Sequence, residues 1–571
     1  MTKAAQAEAK SAGALIGVRH RYGDGAEARK QDLLARLEAR PPKTARAILR
    51  MQDDLLFLVA FPGEAATRRA AIRLLAAVPD LVSRLPRGER DLLNDSGIAG
   101  STSRYEFSFP IARWIAGRAA GEAEIDWRHY KDHALLDRAL FAILRPAELE
   151  AAESGDTKTR ALVERARASS TRTSLDWILG ALIDACGPEK ADALFSETDM
   201  PIAWRPSARY STTGARLAHA PVVIRRTMRR PPADVAARIC EPMTIERLAP
   251  ARARRVIETT RAGLSARCRE VVAISHANPR DVSWCDLGEG TALAVIGVAP
   301  ARRLTLETNT GYLLFANGVP IGYGGVTPFF RQANTGINIF PSFRGSEAAA
   351  LFVEMLRAFR SLYGVSRFIV NGYQFGEGNA EAIRSGAYWF YHRLGFRPTD
   401  QTLQRRAARE AARLSKKGAA PSDAGTLRGL ARGDLVLTLP DADPADAIDE
   451  SAILKAGLGA MRALAREPAA SRALAEQAIS ERIAAALGAG ALRDLPPAER
   501  RAMRRLAPII EAVGGVSSWS DEEKRNLLAM VRAKGAAQER DFARAAALCP
   551  RFFRALGSLH DDAPPRAPIA Q

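Results

Sequence analysis

Cysteine is scarce in this chain. Five are present in 571 residues, at positions 186, 240, 268, 285 and 549, and none forms a C-x-x-C pair. An odd number at scattered positions argues against a disulfide framework and against a structural zinc site. A reducing, cytoplasmic compartment is the expectation. The seven histidines are isolated as well, so no metal centre is expected. Aromatics make up only 6% while Ala, Leu and Arg abound, which leans the chain towards helix. No apolar run approaches the roughly 18 residues of a membrane span, so no membrane association is expected. Residues 1–20 carry Lys3, Lys10 and Arg19 but no continuous apolar segment, which argues against a secretory signal.

What the chain does have is positive charge. The formal net charge is +19, and an anionic partner is one reading of it: nucleic acid, an acidic carrier protein or a phosphate-rich ligand. Arginines spread over helical faces beside Asp and Glu are the other. The charge concentrates at residues 201–230, which hold seven arginines and no Asp or Glu. Pro206, Gly214 and Pro221 interrupt this stretch and Pro231-Pro232 closes it, so it reads as a solvated connector between domains. As a weaker alternative it binds a polyanion, with Trp204 and Tyr210 as stacking partners.

Residues 1–240 read as mainly helical, with that Arg-rich connector (201–240) at the end. Residues 43–61 place Ile48, Met51, Leu55, Leu58 and Val59 at helical spacing before Pro62-Gly63. After about residue 242, β-branched residues and alternation take over. Strands are expected at 291–298, 311–316, 320–329, 336–340 and 367–371, with a hairpin turn at Asn317-Gly318. Helices are expected at 347–362 and 379–394, the second closed by Gly395. Residues 401–571 return to helix, with a short strand at 435–439 and a three-proline tail at 562–571 that should fray.

Three segments carry chemistry. One is the hairpin GYLLFANGVPIGYGG (311–325). The second runs GINIFPSFRGSEAAALF (336–352), a strand, an Arg-Gly turn and a helix. The third is the ending AYWFYHRLGFRP (387–398). Together they resemble the GNAT superfamily of acyl-CoA-dependent N-acyltransferases, over about 160 residues (241–400). The fold class this implies is α+β: a central GNAT-like mixed sheet flanked by two mainly helical regions, 1–240 and 401–571.

The resemblance implies an acyl transfer from acyl-CoA (acetyl-CoA) or from an acyl carrier protein to an unspecified amine. It implies Tyr391 as the acid that protonates the leaving thiolate. It also implies phosphate contacts from Arg344, Gly345 and Ser346 at a helix N-terminus, and a pantetheine arm lying between splayed strands 336–340 and 367–371. Asn338, alternating with Ile337 and Ile339, is placed to hold a water, and Asn379 stands for the family's helical Asn. The chain departs from the pattern at three points. Glu347 replaces a glycine of the phosphate cradle, Pro341 removes an N–H donor, and Asn379 precedes Tyr391 by twelve residues. These departures favour a second reading, a catalytically degenerate GNAT-fold module that binds a ligand or partner. The general base stays open among Glu307, Glu377, Glu381 and His392, with His392 read as a surface residue. The loop 371–379 either lines an acceptor pocket or is a tight connector.

Overall fold

The computed structural model describes residues 15–117, 121–154, 158–167, 172–218, 220–345 and 347–559. Ser346, most of residues 1–20 and the tail 562–571 lie outside the described residues. The protein is α+β, with a mixed ten-stranded sheet and helices around it.

A small antiparallel sheet comes first: β1 (Ser103–Tyr105), β2 (Gly121–Ile125) and β3 (Ile202–Pro206), in the order β1-β3-β2. The large sheet comprises β4 (Ile245–Arg247), β5 (Ala277–Gly288), β6 (Thr291–Val298), β7 (Thr310–Ala316), β8 (Val319–Phe329), β9 (Gln332–Thr335), β10 (Asn338–Ile339), β11 (Arg367–Val370), β12 (Arg397–Pro398) and β13 (Leu435–Thr438). Its order is β4-β5-β6-β7-β8-β9-β11-β13-β12, and β10 pairs with β8. β9 and β11 are parallel; the other pairs are antiparallel.

Every residue of β6 and β7 is buried, because both faces of the sheet are covered. Helix Pro250–Ser265 packs beside β5 and β8, and helix Ala348–Tyr363 packs on the face carrying Tyr312, whose ring lies 5.6 Å from Phe359. The β7–β8 turn puts Asn317 and Gly318 at φ +45° and +80°, the left-handed region that Asn and Gly tolerate. The Asn317 side chain also joins three segments. Its amide donates to Ala60 O (2.9 Å) and Val223 O (3.1 Å), and its oxygen accepts from Val223 N (2.8 Å).

Among the described residues three hydrophobic cores form. The largest joins residues between Leu15 and Ile98 to the big sheet and to Leu427–Leu439. A second, between Phe107 and Ala215, also takes Ala262 and Ala266. The third lies between Ile448 and Leu556 and takes Leu306, Phe329 and Phe330 from the sheet domain. The cores therefore cross residues 240 and 400. Helix Ala45–Ala60 belongs to the sheet's own core, and β13 inserts between β11 and β12.

The expected solvated connector is not one. Residues 202–206 form the central strand of the small sheet, and Leu217 N donates to Gly318 O at 2.9 Å. Trp204 is fully buried against Phe107 and Trp114, and Tyr210 packs on Trp114 and donates to Glu258 at 2.8 Å. Neither ring is free to stack on a base, because burying it in an aromatic cluster is the more favourable use of its area. Among the described residues no helix is long and apolar enough to cross a membrane.

Candidate functional site

The one parallel pair of the large sheet comes apart. Gln332, Ala333 and Asn334 of β9 stand opposite Arg367, Phe368 and Ile369 of β11. Beyond Asn334 the first strand stays with β8 in one unbroken register, Thr335 opposite Val326, Asn338 opposite Tyr323 and Ile339 opposite Gly322. β11 stays instead with β13, Val370 opposite Leu435. Each strand follows its outer neighbour, so the ladder between them ends at Asn334/Ile369.

Glycine makes the geometry of the parted segment. Gly324 on β8 has no side chain, and Tyr312 lies across it from β7; a Cβ there would overlap the phenol. The Tyr312 hydroxyl then donates to Gly336 O. On the other side, a Cβ built on Gly336 would lie 2.8 Å from the side chain of Gln374. Gln374 belongs to the loop between β11 and the next helix, so one carboxamide already packs against the parted strand.

Tyr391 stands at the same place. It is 2% exposed and ringed by Phe352, Phe375, Phe390 and Phe396 at centroid distances of 5.0–6.2 Å. Burial pushes its pKa well above the ordinary phenol value, and the backbone of Ile337 partly opposes that shift through a hydrogen bond. The phenol therefore stays protonated at neutral pH, with its oxygen at the parted strand. The expected helix 379–394 is broken in two, Ala380–Ser385 and Ala387–Arg393, by Gly386 at φ +65°. Tyr391 sits on the second piece, so counting helical turns back to Asn379 does not apply.

The Arg-Gly turn precedes helix Ala348–Tyr363 as expected. Gly345 has φ +79° and open space where a Cβ would be, and no side chain caps the helix. Arg344 is half exposed and paired with Glu381 at 2.6 Å. Glu347 turns away from the parted strands. Its fully buried carboxylate pairs with Arg225, also fully buried, and accepts from Arg229 N (2.6 Å) and Nε (3.1 Å). Arg229 goes on to Leu287 O and Thr291 Oγ1, each at 2.6 Å. The residue that breaks the glycine pattern is thus the anchor of the Arg-rich strap.

The other expected site residues are spread out. Asn338 is exposed and opposite Tyr323. Asn379 caps its helix, accepting from Ala382 N (3.0 Å) and donating to Tyr373 O (3.1 Å), so its amide is used locally. His392 is half-buried against Tyr388 and Trp389 rather than on the surface, and burial lowers its pKa to about 4. In loop 371–379 Phe375 is fully buried beside Tyr391, as in a connector whose aromatics cover the sheet end, while Tyr373 is exposed.

Sequence reasoning missed Asp53. It reaches the site from helix Ala45–Ala60 and accepts from Ser342 Oγ at 2.6 Å, two residues before Arg344. Burial raises its pKa, with Ser342 and Arg267 opposing. It also missed Gln374. A polar residue inside an apolar helical pattern was the only signal for Asp53, and none marked Gln374. Among the described residues no group of His, Cys, Asp and Glu is arranged to hold a metal ion. No model of a known protein family, no curated protein and no solved structure matches this chain.

Proposed function

We propose that the chain is an N-acyltransferase of the GNAT type, moving an acyl group from acyl-CoA or a carrier-bound thioester to an amine. The observation that supports it is the parted β9/β11 pair with a buried phenol at the parting. A strand end without ladder partners offers backbone groups that an extended amide-bearing arm can pair with. The open Gly345 turn and the uncapped helix behind it offer N–H groups to phosphate, next to Arg344.

In this reading the amine attacks the thioester carbonyl, the C–N bond forms and the C–S bond breaks. The thiolate takes its proton from Tyr391, and the amine's surplus proton leaves to water. The phenol regains its proton from solvent before the next turnover. Pro341 has no N–H to polarise a carbonyl, so donors to the developing oxyanion would come from the backbone near Ile337. The basic surface suits an acidic carrier as donor.

A second reading is a binding module that keeps the fold and has lost catalysis. Gln374 favours it, because its carboxamide packs against Gly336 in the space a thioester arm would use. Calorimetric titration with acetyl-CoA, of the natural chain and of Gln374→Ala, separates the two. Heat of binding together with release of free thiol in the presence of amines supports the transferase. Binding without thiol release supports the module, and no heat from either folded protein at millimolar ligand removes both.

A further inference from the structure

On the sheet face opposite helix Ala348–Tyr363 lies a cleft of about 990 Å³. Tyr312 faces that helix, and Phe315, an odd number of residues further along β7, faces the other way. Phe315 and Trp284 form the cleft floor, with ring centroids 5.6 Å apart. Helix Pro250–Ser265 makes one wall, and residues 209–218 and 220–223 of the Arg-rich strap make the other. The volume is that of a site for an organic ligand rather than for an ion.

The charges around it are unequal in how they are used. Of the carboxylates, Glu258 accepts from Tyr210 (2.8 Å), Asp286 accepts from Gly288 N (2.8 Å), and Glu289 faces Arg225 at 3.6 Å. Among the described residues, Arg216 and Arg255 make no ion pair and no side-chain hydrogen bond. Arg209 lies over the Tyr210 ring, 5.6 Å from its centroid. Burial lowers the pKa of Arg216, and the Arg216 charge in turn lowers that of Arg68, whose Nε is buried without a partner among the described residues. Holding like charges together out of water is unfavourable unless an anion joins them. At the lip, Val222, Val223 and Ile224 are each more than a third exposed in succession, although Asn317 pins Val223 on both sides.

We infer that this cleft is a binding site for an amphiphilic anion, a ligand whose apolar body lies on Trp284 and Phe315 and whose single carboxylate or phosphate head meets Arg216 and Arg255. The site does not depend on the acyltransferase reading, since it lies on the other face of the sheet. The head is read by charge-assisted hydrogen bonds, and the strap's exposed apolar side chains cover the tail.

The test displaces 1-anilinonaphthalene-8-sulfonate from the full-length protein with octanoate, octyl phosphate and 1-octanol. Octanoate and octyl phosphate should compete, the stronger naming the head group, and 1-octanol should compete about tenfold less well or not at all. The double variant Arg216→Ala/Arg255→Ala should weaken the anions by about tenfold or more and leave 1-octanol unchanged. Thr259→Trp, which fills the cleft from a partly exposed helical position, should abolish both while the circular-dichroism melt and the acetyl-CoA titration stay as in the natural chain. Equal competition by 1-octanol and octanoate overturns the proposal. So does unchanged anion affinity in the double arginine variant, or undiminished binding in folded Thr259→Trp.

Discussion

Glu347 and Arg225 lie 122 residues apart in the chain and form an ion pair in which both side chains are wholly shielded from solvent. The pair fixes the Arg-rich strap to the head of helix Ala348–Tyr363, and Arg225 N, donating to Pro62 O at 2.7 Å, ties the N-terminal helices to the same point. Removing Arg225 takes the fully buried charge partner from Glu347 and leaves its carboxylate to Arg229 alone. Arg225→Met should therefore cost about 3–5 kcal/mol. Trypsin should then cleave within residues 217–230 much faster than in the natural chain. Adding Glu347→Leu should restore much of the loss. A single variant as resistant to trypsin as the natural protein would show that the pair holds nothing.

Tyr391→Phe separates chemistry from packing. The ring stays among Phe352, Phe375 and Phe396, and only the hydrogen bond at Ile337 is lost, so stability should drop by about 1 kcal/mol. If the phenol is the acid of the proposed transfer, kcat should fall by about 100-fold with the dissociation constant for acetyl-CoA little changed. Unchanged turnover in a transferring protein would remove Tyr391 from the reaction.

Gln374 stands where a ligand arm would lie, so Gln374→Ala should tighten acetyl-CoA binding by up to about tenfold, the worth of one displaced hydrogen-bonding side chain. Gln374→Trp should block it. Identical affinities for both variants would mean that the parted strands are not the binding place.

His392 gives a pH signature. Burial lowers its folded pKa to about 4, against about 6.5 for a free imidazole. Between those values the unfolded chain holds the extra proton, so stability is full above pH 6.5 and declines as pH falls towards 4. His392→Gln should flatten that decline when urea midpoints at pH 7 and pH 5 are compared. An equal decline in both proteins would place the acid sensitivity elsewhere.

The local elements were largely readable. The strand at 291–298 is legible to the residue, because both faces are buried and the run is continuously apolar. The Asn317-Gly318 turn was readable because its backbone demands left-handed φ values. The twelve-residue β5 is not legible in the sequence: Asn278, Pro279, Arg280 and Asp281 hide its start, and Asp281 is inward because Glu539 N and Gly297 close on it. Of the expected strand 336–340 only Asn338–Ile339 is strand, β10 on β8; the partner of β11 is instead Gln332–Thr335, since the chain leaves β11 after Asn334 while keeping β8.

By itself the sequence determined the α+β class, the hairpin, the Arg-Gly turn before a helix and the aromatic helix ending in Gly-Phe. These depend on periodicity and backbone preference within a few residues. Only the tertiary structure decided that Glu347 belongs to Arg225, that Gln374 meets Gly336, that Asp53 bonds Ser342 and that β13 enters the sheet. Those relations join positions tens to hundreds of residues apart. What makes each favourable is burial and charge pairing across the fold, which leaves no pattern along the chain.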